Sequence, residues 1–220
     1  MILKGITPPL NGFDFKPVLE VARRLESAAQ CDVSRRRFLI SIVSLPVLSY
    51  SASAPAAEKF SLDNTVYERV GRETDIDPVL LYALTCVESA VAAGEAKEGF
   101  MQPYPWTLRY AGEPFYGKTK EEAEAKLKSI MTRHRRPNVD IGIAQINSIW
   151  HGHRVKHLTD LLDPYTNLKI AADILNECLA LYPKDAFRAI GAYHSGNKKK
   201  AERYARFVVR LYTTLKEKEG

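Results

Sequence analysis

The stretch from Asp75 to Ala90, DIDPVLLYALTCVESA, constrains the fold more than any other part of the chain. Asp77 is placed to cap a helix that begins at Pro78, because a proline at the first helical position gives up only an N–H without a partner. Residues 79–88 are almost all apolar, and a helix that is apolar around its whole circumference is usually buried. The sequence therefore predicts a core built around this helix.

Glu88 lies near the end of the apolar helix, with no basic residue within one turn of it in the sequence. A buried carboxylate is costly unless water from a cleft or a hydrogen bond stabilises it. Two interpretations stay open: a glutamate that faces solvent at a helix end, as single glutamates usually do, and an acid held in a functional cleft. An acid in apolar surroundings keeps its proton more readily, which suits proton donation.

Length and composition favour one globular domain with a sizeable core, since the chain has 220 residues, of which 45% are hydrophobic and 26% charged. The formal net charge is +6, but residues 1–56 hold seven Lys and Arg against four Asp and Glu, which leaves +3 for the remainder. So weak a charge on a domain of this size does not favour nucleic acid as a partner.

Residues 34–56 have the pattern of an export signal. The basic segment SRRRFL precedes the apolar run ISIVSLPVLS and the small residues SASAPAA. Paired arginines before the apolar run are typical of the twin-arginine route, and Ala54 and Ala56 fit cleavage after Ala56. An uncleaved anchor and a basic amphipathic helix remain as alternatives, although Pro46 breaks a run already short for a bilayer. We therefore predict an extension and signal over residues 1–56 and an exported, periplasmic domain over residues 57–220, without a stable membrane span.

The remaining sequence predicts six or seven helices with one small β-hairpin. Helical spacing predicts helices over residues 61–72, 120–133, 163–182, 185–196 and 198–218, besides the apolar helix. Ser61 or Asp63 is the expected cap of the first, Asp185 caps another, and Gly196 is expected to end it. Alternating aromatics around a turn at residues 111–113 predict the hairpin, and residues 140–149 are expected to form a short strand or an irregular turn that leads into a helix.

The histidines and cysteines give little indication of a metal site. His151, His153 and His157 lie close together, but no carboxylate or cysteine stands at helical ligand spacing and their neighbours are basic, so a solvated surface segment is favoured. Cys86 and Cys178 lie in apolar helical patterns. A disulfide and two buried thiols both remain open, because spacing along the chain does not show the distance between the two Cα atoms.

Three separated motifs resemble those of the soluble lytic transglycosylase family. They are Glu88-Ser89 at the end of the apolar helix, GIAQIN over residues 142–147, and AYHSG over residues 192–196. Together with the DPYTNLKIAA segment that begins at Asp163, they are similar to the family in order and spacing from Thr65 to Phe207. The YPWT stretch at residues 104–107 and the YHSG variant look most like the subgroup found with conjugation and secretion machines.

The resemblance implies a mainly α, lysozyme-like fold and an enzyme that cuts peptidoglycan without a cofactor. The bond cleaved in this family is the β-1,4 bond between N-acetylmuramic acid and N-acetylglucosamine, and the product carries a 1,6-anhydro end. Glycosidic cleavage needs an acid for the leaving oxygen and stabilisation of an oxocarbenium-like transition state. The resemblance implies that one glutamate acts as acid and then as base, while the substrate's own N-acetyl or 6-hydroxyl group replaces an outside nucleophile. It also implies a role in opening the wall for an envelope-spanning conjugation or secretion complex.

Site residues follow from the same resemblance, motif by motif. Glu88 is the expected general acid and base, and Ser89 is expected to hydrogen-bond near the cleaved sugar. The Gln145 amide is expected to hold a glycan or peptide group, and Tyr193 to lie over Glu88 and help to orient it. The other expected substrate contacts are Asn147, His194, Tyr104 and Trp106.

Plainer interpretations of these residues stay open. Tyr193 also fits a core position, Gln145 a loop residue bonded to backbone, and the aromatic residues Tyr104 and Trp106 the core of a small hairpin. The sequence departs from the family at Ala144, where the family has Met, and at His194, where it has Asn. These departures change packing and a hydrogen bond to substrate, but neither removes the acid.

Three rival functions also remain. A muramidase on the same fold would use water as nucleophile. Asp140 is the only nearby acidic candidate for the second carboxylate of such an enzyme. A catalytically silent subunit would bind glycan or act as a scaffold in the envelope apparatus. A nucleic-acid-binding protein would need salt-sensitive binding that the small charge of residues 57–220 does not predict.

Overall fold

The computed structural model describes residues 59–89 and 102–219, and the predicted signal over residues 1–56 lies outside them. Within the described residues the chain forms seven α-helices, four short β-strands and two 3₁₀ turns. The helices are α1 Val66–Thr74, α2 Pro78–Ser89, α3 Lys120–Arg133, α4 Ser148–His151, α5 Pro164–Leu181, α6 Ala186–His194 and α7 Lys198–Lys216. The strands are β1 Thr107–Tyr110, β2 Glu113–Tyr116, β3 Val139–Ile141 and β4 Ile146–Asn147, and the 3₁₀ turns are Gly152–Arg154 and Leu158–Leu162. The predicted mainly α architecture with a small β insert is confirmed.

Helix α2 is the centre of the molecule, as its apolar sequence predicts. Asp77 caps it, because its Oδ1 accepts a hydrogen bond from the Val79 N–H at 2.8 Å. The helix packs against α1, α5 and α7, and three of its leucines, Leu80, Leu81 and Leu84, have no exposed surface. Helix α7 also binds the cap itself, since the Tyr212 hydroxyl donates to Asp77 Oδ2 at 2.8 Å. The first turn of α2 is therefore held by the last helix of the chain.

The start of the first helix was predicted wrongly. Helix α1 begins at Val66, and its cap is Thr65, whose hydroxyl accepts from the Glu68 N–H. Neither Ser61 nor Asp63 caps it, because Ser61 Oγ instead accepts from the Asp63 N–H in a local turn. Two hydroxyls and a carboxylate compete for the same role within five residues, and the sequence alone does not show which one the chain geometry selects.

The other helix starts agree with the sequence. Asp163 caps α5 and Asp185 caps α6 through their side chains, and α3 has the predicted bounds. The predicted end of α6 is wrong by a short distance. The helix ends at His194, and Ser195 follows in an extended conformation. Gly196 does not have the positive φ of a glycine that terminates a helix.

The hairpin is confirmed and belongs to a larger sheet. The strand order is β2-β1-β3-β4, and every pair is antiparallel. Ala111 and Gly112 form the β1-β2 turn with φ values of 53° and 86°, as two-residue hairpin turns of type I′ require. Both interpretations of residues 140–149 hold, because β3, a tight turn, β4 and the short helix α4 follow one another there. The sheet places this turn beside the end of α2.

The two cysteines within the described residues do not form a disulfide. Cys86 and Cys178 are both buried and unbridged, and burial raises the pKa of Cys86 to about 12. They pack as small apolar side chains. Among residues 59–89 and 102–219, no helix is long and apolar enough to cross a membrane.

Candidate active site

A cleft of about 350 Å³ lies between the helical part of the molecule and the small sheet. One wall is helical and carries Glu88 from the end of α2, Tyr193 and His194 from the end of α6, and Tyr204 from α7. The other wall belongs to the sheet and its turn. Its polar residues are Arg109, Asp140, Gln145 and Asn147, with Trp150 and His151 following from α4. Residues that the motifs placed far apart in the sequence therefore meet in one cleft.

Glu88 opens into this cleft with 14% of its side chain exposed. No basic residue lies within one turn of Glu88 in the sequence, but the fold brings one beside it. His194 Nδ1 lies 3.7 Å from Glu88 Oε1, so the two side chains form an ion pair when the imidazole is protonated. This neighbour comes from another helix, which is why the sequence around Glu88 did not show it.

Two tyrosines surround the same carboxylate. Burial and then the charge of Glu88 raise the pKa of Tyr193 and of Tyr204 well above the ordinary value of tyrosine, so both hydroxyls keep their protons at neutral pH. Tyr193 donates its hydrogen bond to the Ala144 carbonyl at 3.1 Å rather than to Glu88. The buried Tyr204 hydroxyl has no hydrogen-bond partner of standard geometry among the described residues, and the imidazole of His194 stacks on its ring at 4.5 Å.

Gln145 occupies the tight turn between β3 and β4 in a left-handed conformation with φ of 48°. Its side-chain nitrogen donates to the Gly142 carbonyl at 2.8 Å and to the Thr107 carbonyl at 3.3 Å. The amide oxygen accepts no hydrogen bond from the described residues. Gln145 is thus bonded to backbone through one end of its amide, as the plainer interpretation held, while the other end remains available to a ligand.

Asn167, a fully buried residue of α5, holds the same turn in place. Its Nδ2 donates to the carbonyls of Ile141 and Leu161, and its Oδ1 accepts from the Ala144 N–H, all at 2.7–2.8 Å. Gly142 is required there, because its φ is +80° and an added Cβ would lie 2.3 Å from Asn167 Nδ2. The sequence placed Asn167 only at the start of a helix, since its partners are distant in sequence.

Asp140 and Asn147 face each other across β3 and β4 on the sheet wall. Asn147 Nδ2 donates to Asp140 Oδ1 and to Asn138 Oδ1, both at 2.7 Å. Its Oδ1 accepts from the N–H groups of Ile149 and Trp150 and so caps α4. Asn147 lines the cleft, but its amide is fully used within the protein, so it shapes the wall rather than offering a free contact.

Three of the expected site residues do not line the cleft. Ser89 is 2% exposed, and its hydroxyl donates to the Thr85 carbonyl and accepts from the Tyr104 N–H. Tyr104 donates to the Gly117 carbonyl at 2.6 Å and packs edge-on against Trp106. Together these contacts connect the end of α2 to the start of the hairpin.

Several residues of the cleft have no counterpart in the motifs. Trp150 is 73% exposed at its edge, Arg109 projects from β1, and Tyr204 follows the third motif by one helix. Of the three histidines, His151 lines the cleft, and burial, followed by the Arg154 charge, lowers its pKa. A pattern search could have selected Trp150 as an aromatic residue just after the second motif, but Tyr204 and Arg109 have no local signal.

Within the part of the chain that the structure describes, no three His, Cys, Asp or Glu side chains cluster as metal ligands would.

The cleft can therefore present the Glu88 carboxyl group and the open Gln145 amide oxygen to one ligand. The family model of the transglycosylase SLT domain matches residues 66–208, which span α1 to most of α7 and include every residue of the cleft. No curated protein and no solved structure matches the chain significantly.

Proposed function

Because this chain belongs to the transglycosylase SLT domain family, which has a lysozyme-like fold and acts on peptidoglycan, we propose that it is a lytic transglycosylase with Glu88 as its acid and base. It cleaves the β-1,4 bond between N-acetylmuramic acid and N-acetylglucosamine and leaves a 1,6-anhydro end. The observation that carries the proposal is that Glu88, Gln145, Tyr193 and His194, drawn from three separate motifs, line one cleft.

The proposed reaction uses one carboxyl group twice. Glu88 donates its proton to the glycosidic oxygen as the bond from that oxygen to C1 of the muramoyl residue breaks. The 6-hydroxyl of the same residue then bonds to C1, and its proton passes to the Glu88 carboxylate. The acid is thereby restored, no water is consumed, and the N-acetyl group stabilises C1 between the two steps.

The helical wall supports this role for Glu88. The carboxyl group lies at the end of a buried helix that is fixed at its cap and along its length, so its position is well defined. Tyr204 brings a protonated, buried hydroxyl to the Glu88 carboxyl group, and it is a donor for the carboxylate form. His194 replaces the family's Asn and lies 3.7 Å from the carboxylate, where it can also donate to a sugar hydroxyl.

The substrate contacts are proposed in two groups. Gln145 and His194 contact the sugar directly, Tyr193 closes the cleft beside Glu88, and Trp150 offers an exposed ring for stacking at the edge. The second group acts by position: Ser89, Asn147, Tyr104 and Trp106 hold the end of α2, the hairpin and the sheet wall at their observed distances. The side-chain hydrogen-bonding groups of Ser89, Tyr104 and Asn147 are already used within the protein.

Zymography on purified sacculi tests the proposal. The wild-type protein is expected to clear the embedded wall, and Glu88→Gln is expected to clear none while keeping the fold and Tm of the wild type. Glu217→Gln is the matched control, since Glu217 is exposed near the chain end and away from the cleft. Undiminished clearing by Glu88→Gln would contradict an enzymatic role for this residue and would favour the silent glycan-binding subunit.

A muramidase is the second candidate function, because Asp140 lines the same cleft as Glu88. A hydrolase would use such a second carboxylate to activate water or to stabilise the sugar cation. Asp140 already accepts a hydrogen bond from Asn147 at 2.7 Å, which holds it in the sheet wall and favours a structural role. The masses of the products separate the two reactions.

We further propose that the protein acts in the periplasm after export by the twin-arginine route and opens the wall for an envelope-spanning conjugation or secretion apparatus. The support is the SRRRFL segment with its apolar run, and the YPWT and YHSG variants of the motifs. Lysine in place of both Arg35 and Arg36 is expected to keep the protein in the cytoplasm, as fractionation would show. Glu88→Gln is expected to lower transfer through the apparatus in a complementation assay.

A further inference from the structure

A second cavity, of about 380 Å³, continues the cleft along the sheet wall. Arg109, Asp140 and Asn147 line both cavities, so the two are continuous. Beyond these shared residues, the second cavity runs between the β1-β2 turn and the segment that follows α3, where Arg136 lines it. We refer to it as the basic groove.

The basic groove contains two guanidinium groups that have no partner among residues 59–89 and 102–219. Arg109 and Arg136 make no hydrogen bond or ion pair with any described residue, although Arg109 stands opposite Asp140 in the β1-β3 register. Asp140 is the one carboxylate among the lining residues, and Asn147 already donates to it. His134 also lines the groove and lies against the Tyr110 ring at 5.7 Å between centroids. The charges that face the groove are therefore positive on balance.

Other arginines of the molecule show the contrast. Arg69 and Arg72 on α1 pair with Glu73 and Glu68, and Arg154 pairs with Glu177 at 2.8 Å. These three arginines lie beside carboxylates of the chain, whereas Arg109 and Arg136 form no ion pair within the described residues and line the cavity that continues the cleft. A guanidinium binds a carboxylate through two parallel hydrogen bonds, so the missing partner is most simply a carboxylate supplied by a ligand.

We propose that Arg109 and Arg136 bind a carboxylate of the short peptide attached to a muramoyl residue of the glycan. This inference rests on the proposed function, because it assumes a glycan strand in the cleft beside Glu88. The peptides branch from the strand and carry free carboxylates, and the basic groove leaves the cleft sideways along the sheet wall. The protein therefore recognises peptide-bearing strands, and strands without peptides are poorer ligands.

Equilibrium binding to the full chain in a Glu88→Gln background tests this, since the glycan then stays intact. The ligands are short soluble glycan strands with their peptides and the same strands after an amidase has removed the peptides. Peptide-bearing strands are expected to bind ~10-fold more tightly or better, as one charge-assisted contact provides. Adding Arg136→Gln is expected to remove most of that difference, Arg136→Lys to keep part of it, and rising salt to reduce it.

Arg210→Gln is the matched control, because Arg210 is exposed on α7 and lines neither cavity. It is expected to leave the ratio of the two affinities unchanged. Equal affinity for both strands, binding of neither strand, or an equal effect of Arg136→Gln and Arg210→Gln would each overturn the inference. The outcome is independent of the reaction itself: a protein that prefers peptide-bearing strands but cuts none keeps this inference and loses the proposed activity.

Discussion

The two walls of the cleft differ in how far their polar groups are satisfied. On the sheet wall, Asn147 uses its whole amide, Asp140 accepts from it, and Gln145 is bonded to backbone through its nitrogen. On the helical wall, Glu88 makes no hydrogen bond of standard geometry within the described residues, and its polar neighbours are the buried Tyr204 hydroxyl and His194 Nδ1 at 3.7 Å. Because a polar group without a partner costs stability, a substrate is expected to complete the Glu88 carboxyl group on the helical wall and the Gln145 amide oxygen and Arg109 guanidinium on the sheet wall.

The helical wall therefore carries the acid that performs the reaction, and the sheet wall sets the shape of the cleft. Substitutions on the helical wall should then lower activity with little effect on folding. Substitutions on the sheet wall should lower stability, and they should affect activity by changing the shape of the cleft. The following predictions test this division, from the largest effect to the smallest.

Glu88→Gln should have the largest effect of any substitution in the cleft. It removes the proton donor while it preserves the size of the side chain, so the rate of wall cleavage should fall by about 10²–10⁴-fold. The free energy of unfolding should change little, because the group is partly exposed and the glutamine amide can still accept from the Tyr204 hydroxyl beside it. Turbidity loss of sacculi and urea unfolding measure the two quantities, and a large loss of stability would contradict the division.

Asn167→Ala should have the largest effect on folding. It removes three buried hydrogen bonds and leaves two carbonyls and an N–H unpaired, which should lower the free energy of unfolding by about 3–5 kcal/mol. Asn176→Ala on the same helix is the control, because Asn176 makes a single hydrogen bond, to the Thr74 carbonyl, and should cost about 1 kcal/mol. Equal losses in denaturant unfolding would show that Asn167 does not hold the turn.

Tyr204→Phe and Tyr193→Phe should separate the two hydroxyls of the helical wall. The buried Tyr204 hydroxyl makes no hydrogen bond of standard geometry within the described residues and lies beside Glu88, so its removal should leave stability unchanged or raise it by up to about 1 kcal/mol while activity falls about tenfold. Tyr193 donates to the Ala144 carbonyl, so its removal should lower stability by about 1 kcal/mol. Thermal unfolding together with initial rates measures both, and a stability loss for Tyr204→Phe would indicate a hydrogen bond to the protein.

Asp140→Asn should have the smallest effect on activity. The account gives this residue a structural role, so kcat/KM should stay within about threefold of wild type, below the tenfold change that about 1.4 kcal/mol represents. The hydrogen bond from Asn147 can pass to the new amide oxygen, so stability should also change little. A loss as large as that of Glu88→Gln would instead assign Asp140 to the reaction and favour the muramidase.

Local signals in the sequence predicted most of the helices and the sites of their caps. Asp77-Pro78, Asp163-Pro164 and Asp185 each precede an apolar helical pattern, and each forms the expected cap. The first helix failed, because Ser61, Asp63 and Thr65 are all able to cap and only chain geometry decides among them. The strands β3 and β4 are short, and their pairing through a turn held by Asn167 is not visible in a local pattern.

The site was predictable only as far as the motifs extended. They pointed to Glu88, Gln145 and Tyr193, each in a segment with its own pattern, and the structure places these three residues in one cleft. The motifs did not reveal that His194 lies beside Glu88, that Tyr204 lines the cleft from the next helix, or that Arg109 has no partner among the described residues. Each of these features depends on residues that are distant in sequence. Ser89 and Tyr104 stand next to motif positions, yet their polar groups turn toward the protein. Adjacency in the sequence therefore did not predict which side chains face the cleft.

The mass of the fragments released from purified sacculi shows whether the 6-hydroxyl of the substrate or water attacks C1. The wild-type protein is expected to release muropeptides with 1,6-anhydro ends, each lighter by one water than the hydrolysed product, and Glu88→Gln is expected to release none. Products with reducing ends at the muramoyl residue would contradict the account, because they show that water, rather than the substrate's own 6-hydroxyl, attacked C1.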